Sequence, residues 1–415
     1  MKKYNIFAII VLFLLIYEPP IFSFNILHVI GGVSWIYILF HRKIILTNLS
    51  FHKLFIIYIT FIMIALYIAF ISIVNNNSML AAAPFLYWLI DIIPCSIMVN
   101  SIMKQKGYNL DNILTLLLMV GLVQSITAIS AFFIPSIKEF FINQFILYGY
   151  DEIYFTLSAY RIYGFASNLT FTTPIVQSTL TLISVYLAVN LNYKYLIFTP
   201  FLFFSAVINA RISFIIILVG VLAMLLCIRP IKLKTIVMTT IIGSMIAIII
   251  MIDMNYIKEN AVETYQWIIT GINEIRQFFK GDTSRGYFNY VSNAQRYRLP
   301  DGFGLYFGVG NRIMGSNKYN TYSDIGYVND IWLGGLIYCI FLYSTFTSFL
   351  LDFLRSSNRK LQINWFLFLL FMGSFIVSNI KGFIFSMNNF TSLFFIIYIY
   401  FIFHIERKRQ LDGDE

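Results

Sequence analysis

Apolar residues run along the chain in long unbroken blocks, not in the alternation that marks half-buried strands or surface helices. Twelve blocks are candidates to cross a membrane: 4–17, 21–40, 54–74, 81–103, 112–134, 173–191, 195–209, 212–228, 235–252, 327–351, 364–380 and 389–404. A helix rises 1.5 Å per residue, so about 20 residues cross a hydrocarbon layer of roughly 30 Å. The pattern therefore predicts an all-α, polytopic transmembrane helix bundle. Blocks 4–17 and 195–209 are short, which predicts tilted helices or a locally thinned bilayer. The first block follows Lys2 and Lys3 as the core of a signal peptide would. Glu18, Pro19 and Pro20 stand where a small-residue cleavage site belongs, so an uncleaved first span is expected.

Two polar interruptions are long, 135–172 and 253–326. They divide the chain into N-terminal spans 1–134, a first long loop 135–172, central spans 173–252, a large loop 253–326, and C-terminal spans with a tail, 327–415. The large loop changes period at its start. Ile257, Ala261, Tyr265, Ile268, Ile272, Ile275 and Phe279 recur every three or four residues, which predicts an amphipathic helix. Such a helix either lies on the membrane surface or packs on the ends of the spans.

Composition agrees with the pattern. Of 415 residues, 59% are apolar and 12% are charged, against about 25% charged in soluble domains. A soluble globular protein, a disordered chain and a disulfide scaffold are excluded. Cys95, Cys227 and Cys339 all fall in or at the ends of apolar blocks, far apart, with no CxxC pair. The net charge of +10 is a question of sides rather than of nucleic acid. With the N-terminus inside, 17 of the 29 basic residues fall on short cytoplasmic connections, and ten of the other 12 lie in the two long loops. The expected topology is N-in and C-in, with both long loops outside, away from ATP.

A few charges stand out against this background. Arg161 precedes the sixth span, Arg211 sits in the tight turn before the eighth, and Arg285 lies in the large loop, with Arg312 further on. Arginine at the mouth of a bundle either reaches lipid headgroups or pairs with an anion. Three on one face, without acids in the short turns, point to a phosphate or pyrophosphate ligand, which the guanidinium fork suits. Asp324 and Asp330 lie where the large loop enters the tenth span. There they serve either the helix dipole or a sugar hydroxyl, as ligand or general base. Asp91 lies inside the fourth span with Pro94 nearby. It is a functional candidate by its depth, or it satisfies the turn broken at Pro94. Gly302, Gly304, Gly308 and Gly310 predict tight turns that let backbone approach a ligand. None of the four histidines falls in an outer loop, so histidine catalysis there and a zinc site are disfavoured, and no metal or cofactor is expected.

Four short patches, in this order and on this topology, resemble the O-antigen and capsule repeat-unit polymerases (the Wzy type), in the wider family that also holds the O-antigen ligases. They are Arg161-x-x-Gly164 with Pro174, then Asn209-x-Arg211-x-Ser213, then Ser284-Arg285 with Gly308-x-Gly310, and Ser323-Asp324-x-Gly326 with Gly334, Gly335 and Leu336. The ligase branch carries a histidine where this chain has Asp324, which favours the polymerase branch. The resemblance implies a metal-independent glycosyltransferase of a bacterial inner membrane, with its active site facing the periplasm or exterior. Its substrates would be oligosaccharides on polyprenyl pyrophosphate. A flippase, a chain-length regulator and membrane lipids would be its partners. It implies pyrophosphate binding by Arg161, Arg211, Arg285 and Arg312, and a base or hydroxyl-orienting role for Asp324, with Asp330 and Asp91 as further candidates. A ligase and a lipid-linked-glycan transporter are the competing classes.

Overall fold

In the computed structural model, the described residues are 6–20, 25–46, 51–147, 161–162, 164–167, 171–227, 258, 262–280, 293–314, 322–355, 361–386 and 388–411. Among them the chain is all-helical, with no strand. In chain order the main helices are α1 (Ile6–Tyr17), α2 (Ile26–Phe40), α3 (Phe51–Val74), the composite α4 (Met79–Gln105), α5 (Leu110–Phe133) and α6 (Pro135–Leu147). They continue with α7 (Thr172–Asn190), α8 (Thr199–Val207), α9 (Ile212–Cys227), α10 (Val262–Phe279), α11 (Gly326–Arg355), α12 (Leu361–Ser378) and α13 (Asn389–Leu411). Six described helices are long and apolar enough to cross a membrane, and five shorter apolar helices accompany them. The block 235–252 lies outside the described residues. The block at 195–209 opens as a 3-10 turn, Tyr193–Phe198, because Pro200 belongs in the first turn of α8.

The chain forms two compact units that cut across its linear order. One joins residues 1–16, 25–115 and 297–415, and the other joins 17–24 and 116–296. The first has an aromatic core. Phe61 of α3 meets Trp88 of α4 at 4.9 Å, Trp88 meets Phe346 of α11 at 5.6 Å, and Phe346 meets Phe385 at 4.8 Å. Outward-pointing α3 residues, such as Phe55, Met63, Leu66 and Phe70, are all more than half exposed. Apolar exposure on that scale fits a lipid-facing helix face.

Two buried acids mark the ends of α11. Asp330 and Asp352 are 22 residues apart, about 33 Å of helix, or one hydrocarbon thickness. Asp352 accepts from Lys53 Nζ at 2.8 and 3.0 Å and from the Tyr398 hydroxyl at 3.1 Å. Lys53→Met removes the closest cation from a carboxylate that is 1% exposed. It is expected to cost about 1.5–3 kcal/mol, because Arg355, 3.6 Å away, and Tyr398 remain. The double variant with Asp352→Leu should recover much of the loss. A denaturant titration of the purified protein checks both, and an equal midpoint for Lys53→Met and the unmodified chain would refute the assignment.

The second unit is built around α7. Its residues from Thr172 to Ala188 are all buried, and they include Gln177, Ser178, Thr179, Thr181 and Ser184. Hydroxyls and amides join helices where no water competes. Gln177 Nε2 donates to the Tyr17 hydroxyl at 3.1 Å, and Ser125 donates to Gln177 Oε1 at 3.3 Å.

Candidate functional site

In the first unit, the large loop enters the membrane helices at a closely tied junction. The helical turn Phe303–Phe307 leads to residues 308–310, which lie along α11. Val309 N–H donates to Trp332 O at 2.8 Å and Gly310 N–H to Leu333 O at 3.0 Å. These carbonyls need outside donors because α11 breaks at Gly335 (φ 72°), a conformation that favours glycine. A Cβ on Gly335 would strike the Tyr306 carbonyl. From α3, Tyr67 donates to Phe307 O and Gly334 O, both at 3.0 Å, and Ser72 donates to Gly310 O at 2.8 Å. Gly308 and Gly310, expected to let backbone approach a ligand, thus meet the backbone of α11 and α3, whereas Gly304 meets side chains of its own loop and Gly302 faces open space.

Beside this junction lies a buried polar cluster. Asp330 is fully buried, and its Oδ2 accepts from the Tyr343 hydroxyl at 2.9 Å and from Asn379 Nδ2 at 3.0 Å. Its Oδ1 has no hydrogen-bond partner. The Arg312 guanidinium lies 4.4 Å above the Phe383 ring and close enough to attract Asp330 electrostatically. Nε and Nη2 of Arg312 are buried without an acceptor, as is the Tyr338 hydroxyl, which feels both charges. Buried donors and a buried carboxylate oxygen without partners in one cluster call for a polar ligand or ordered water. Donors and acceptor together would complement a group that carries an anionic oxygen next to a hydroxyl.

Asp324 lies on the approach to the same junction and is salt-bridged. Lys381 Nζ donates to its Oδ2 at 2.8 Å. Lys381 belongs to the turn after α12, which also carries Asn379 and Phe383. Two of the sequence-derived candidates, Arg312 and Asp330, therefore share one cluster, with Asp324 held by the same turn. Tyr338, Tyr343, Asn379 and Phe383 were not singled out in the sequence. The available signal was the presence of Asn379 and two tyrosines within otherwise apolar blocks.

Arg161 and Arg211 belong to the second unit. Ile162 N–H donates to Asn209 Oδ1 at 2.7 Å, so residues 47 positions apart in sequence lie on adjoining segments. Asn209 is itself buried and anchored to Ser205 O at 2.9 Å. Gly164 adopts φ 57°, and a Cβ there would lie 2.7 Å from Thr127 Oγ1 of α5, so the Arg161-x-x-Gly164 pattern has a steric reason. Gly271 of α10 is buried against Arg211, whose Nε lies 3.0 Å from where a Gly271 Cβ would sit. At this point the amphipathic helix meets the turn that carries Arg211. Arg285 lies outside the described residues.

Asp91 stands apart from these sites. It lies in a π-helical turn, Trp88–Ile92, just before Pro94. Proline has no N–H to offer the preceding turn. The carbonyls left over are met by Trp35 Nε1 at Ile90 O (3.0 Å) and by the Tyr58 hydroxyl at Leu89 O (3.1 Å). The Asp91 carboxylate takes no part in that repair. It is fully buried and pairs with His28 Nδ1 at 2.7 Å.

Comparison with known proteins gives no match among family models, curated proteins or solved structures.

Proposed function

We propose that this protein polymerises lipid-linked oligosaccharide repeat units at the outer face of a bacterial inner membrane. One observation carries the reading: Asn209 brings the Arg161 and Arg211 segments together at the ends of membrane helices. An arginine on each of two adjoining segments supports this reading, since a guanidinium offers the fork of donors that suits a pyrophosphate. In the first unit, Arg312 is by itself a further pyrophosphate candidate, with two buried nitrogens that lack an acceptor. In the proposed reaction an acceptor hydroxyl attacks the anomeric carbon of the donor glycan. The C–O bond to the polyprenyl pyrophosphate breaks, and the leaving group departs with the electron pair. Arginines stabilise that charge. The hydroxyl proton passes to a carboxylate, with Asp324 as the first candidate and Asp330 as the second. Lys381 competes with the hydroxyl for one oxygen of Asp324. Arg285 is proposed as a further pyrophosphate ligand. A flippase would deliver the substrate, and a chain-length regulator would set product size.

Arg161, Arg211, Arg285 and Arg312 are each replaced by Ala and by Lys, and surface polymer is measured at equal protein levels. Each Ala variant is expected to lower polymer yield by about 10²-fold or more, the scale of losing one transition-state donor. Lys should restore part of it. Normal polymer length and yield in all of them ends the pyrophosphate reading, and unchanged turnover in Asp324→Asn removes that base. A transporter reading finds support in the His28–Asp91 pair inside the membrane helices. A deletion strain separates the classes. Surface glycan cut to a single repeat unit means polymerase, polymer held on its lipid carrier means ligase, and repeat units trapped at the inner leaflet mean transport.

A further inference from the structure

Residues 19–90 contain no acidic residue, yet they hold His28, His41, Arg42, Lys43, His52 and Lys53. Three of these six, His41, Arg42 and Lys43, lie in the connection between α2 and α3, and His52 and Lys53 lie in the first turn of α3. Lys53 is committed to Asp352. Among the described residues no carboxylate pairs with Arg42, whose side chain is exposed. Arg42 stands at the mouth of a groove of about 290 Å³ walled by Ile38, Phe55 and Ile97. Trp35 and Tyr58 close the far end, with ring centres 6.2 Å apart. Both are pinned by the carbonyls freed before Pro94, so that end is preformed. From Trp35 to Arg42 the groove follows about 10 Å of helix, the length of part of one hydrocarbon chain.

We infer that this groove binds an anionic phospholipid, with one acyl chain between α2 and α3 and the phosphate at Arg42. The walls offer hydrocarbon, and the mouth offers an uncompensated cation among further basic residues. A zwitterionic lipid would bring its own cation into that cluster, whereas an anionic lipid would not. The positive charge of the connection fits the anionic surface of the cytoplasmic leaflet. The inference does not depend on the glycan chemistry proposed above.

Trp35 supplies the probe. The full chain, purified in mild detergent, is titrated with phosphatidylglycerol or phosphatidylcholine brominated in mid-chain. Contact quenching is read as the difference between the unmodified protein and Trp35→Phe. Phosphatidylglycerol is expected to quench saturably, with a half-saturation about fivefold below that of phosphatidylcholine, the effect of one basic residue at an anionic surface. Arg42→Gln should erase that preference and Arg42→Lys should keep it. Both are exposed changes outside the packed core. Equal quenching by the two lipids, an unchanged preference in Arg42→Gln, or no difference signal from Trp35 overturns the inference. So does displacement by soluble glycerol phosphate at the same concentration, which would make the ligand an aqueous phosphate.

Discussion

Asp330→Ala is expected to destabilise the folded protein by about 2–5 kcal/mol, because it leaves two donors without their shared acceptor at about 1–3 kcal/mol each. The change strands three groups at once. The Tyr343 hydroxyl and Asn379 Nδ2 lose their shared acceptor, and Arg312 loses the negative charge beside it. Asn379 also ties the loop entrance to the turn after α12. Its backbone oxygen accepts from Tyr327 N–H at 3.2 Å, and its Oδ1 accepts from Ile384 N–H at 3.2 Å. Loosening the amide therefore frees the start of α11. Asp330→Asn keeps an acceptor for one donor and should cost less than Ala. Unfolding midpoints in a denaturant series measure both. If Ala falls within 0.5 kcal/mol of the unmodified chain, the range of an ordinary surface substitution, the cluster does not hold the junction.

The second large effect is expected at Gly335. Valine there must adopt φ near 72°, and its Cβ would strike the Tyr306 carbonyl. Left-handed backbone costs roughly 1–2 kcal/mol and overpacking about 1–3 kcal/mol, so a loss near 3 kcal/mol is expected. The damage should be local first. The bonds from Val309 and Gly310 to α11 lie just before the break, as does the one from Tyr67 to Gly334 O, and Tyr67 also holds Phe307 O of the loop. Limited proteolysis of Gly335→Val should cut within 293–314 well before the helices unfold. Cleavage at the same rate as the unmodified protein would show that the break in α11 is not what holds the loop.

Much of the architecture was legible because crossing a membrane is a one-dimensional requirement. Each block must be long and apolar enough by itself, and the six long helices match blocks in the sequence to within a few residues. The ends were less legible. Capping, a proline turn or a 3-10 start moves them without altering hydropathy, as at Asn25, where the cap begins α2 five residues inside its apolar block. The candidate site was legible only in part. Arginines at helix mouths stand out because charge is scarce. Their partners do not stand out, because an asparagine or tyrosine inside an apolar run looks alike whether it faces lipid or a buried carboxylate.

By itself the sequence determined that the chain is a multi-pass helical membrane protein, since hydrophobic length depends on local composition alone. It also singled out Arg161, Arg211, Arg312, Asp324, Asp330 and Asp91 as charges needing an explanation. Only the tertiary structure decided what answers each charge. Asp91 meets His28 instead of repairing the turn at Pro94, Asp324 meets Lys381, and Asp330 sits among Tyr343, Asn379 and Arg312. It likewise decided that Asn209 brings Arg161 and Arg211 onto neighbouring segments. These pairings span from 13 to 63 residues of sequence. Contacts at that distance depend on how helices pack, which no local pattern of apolar and polar residues encodes.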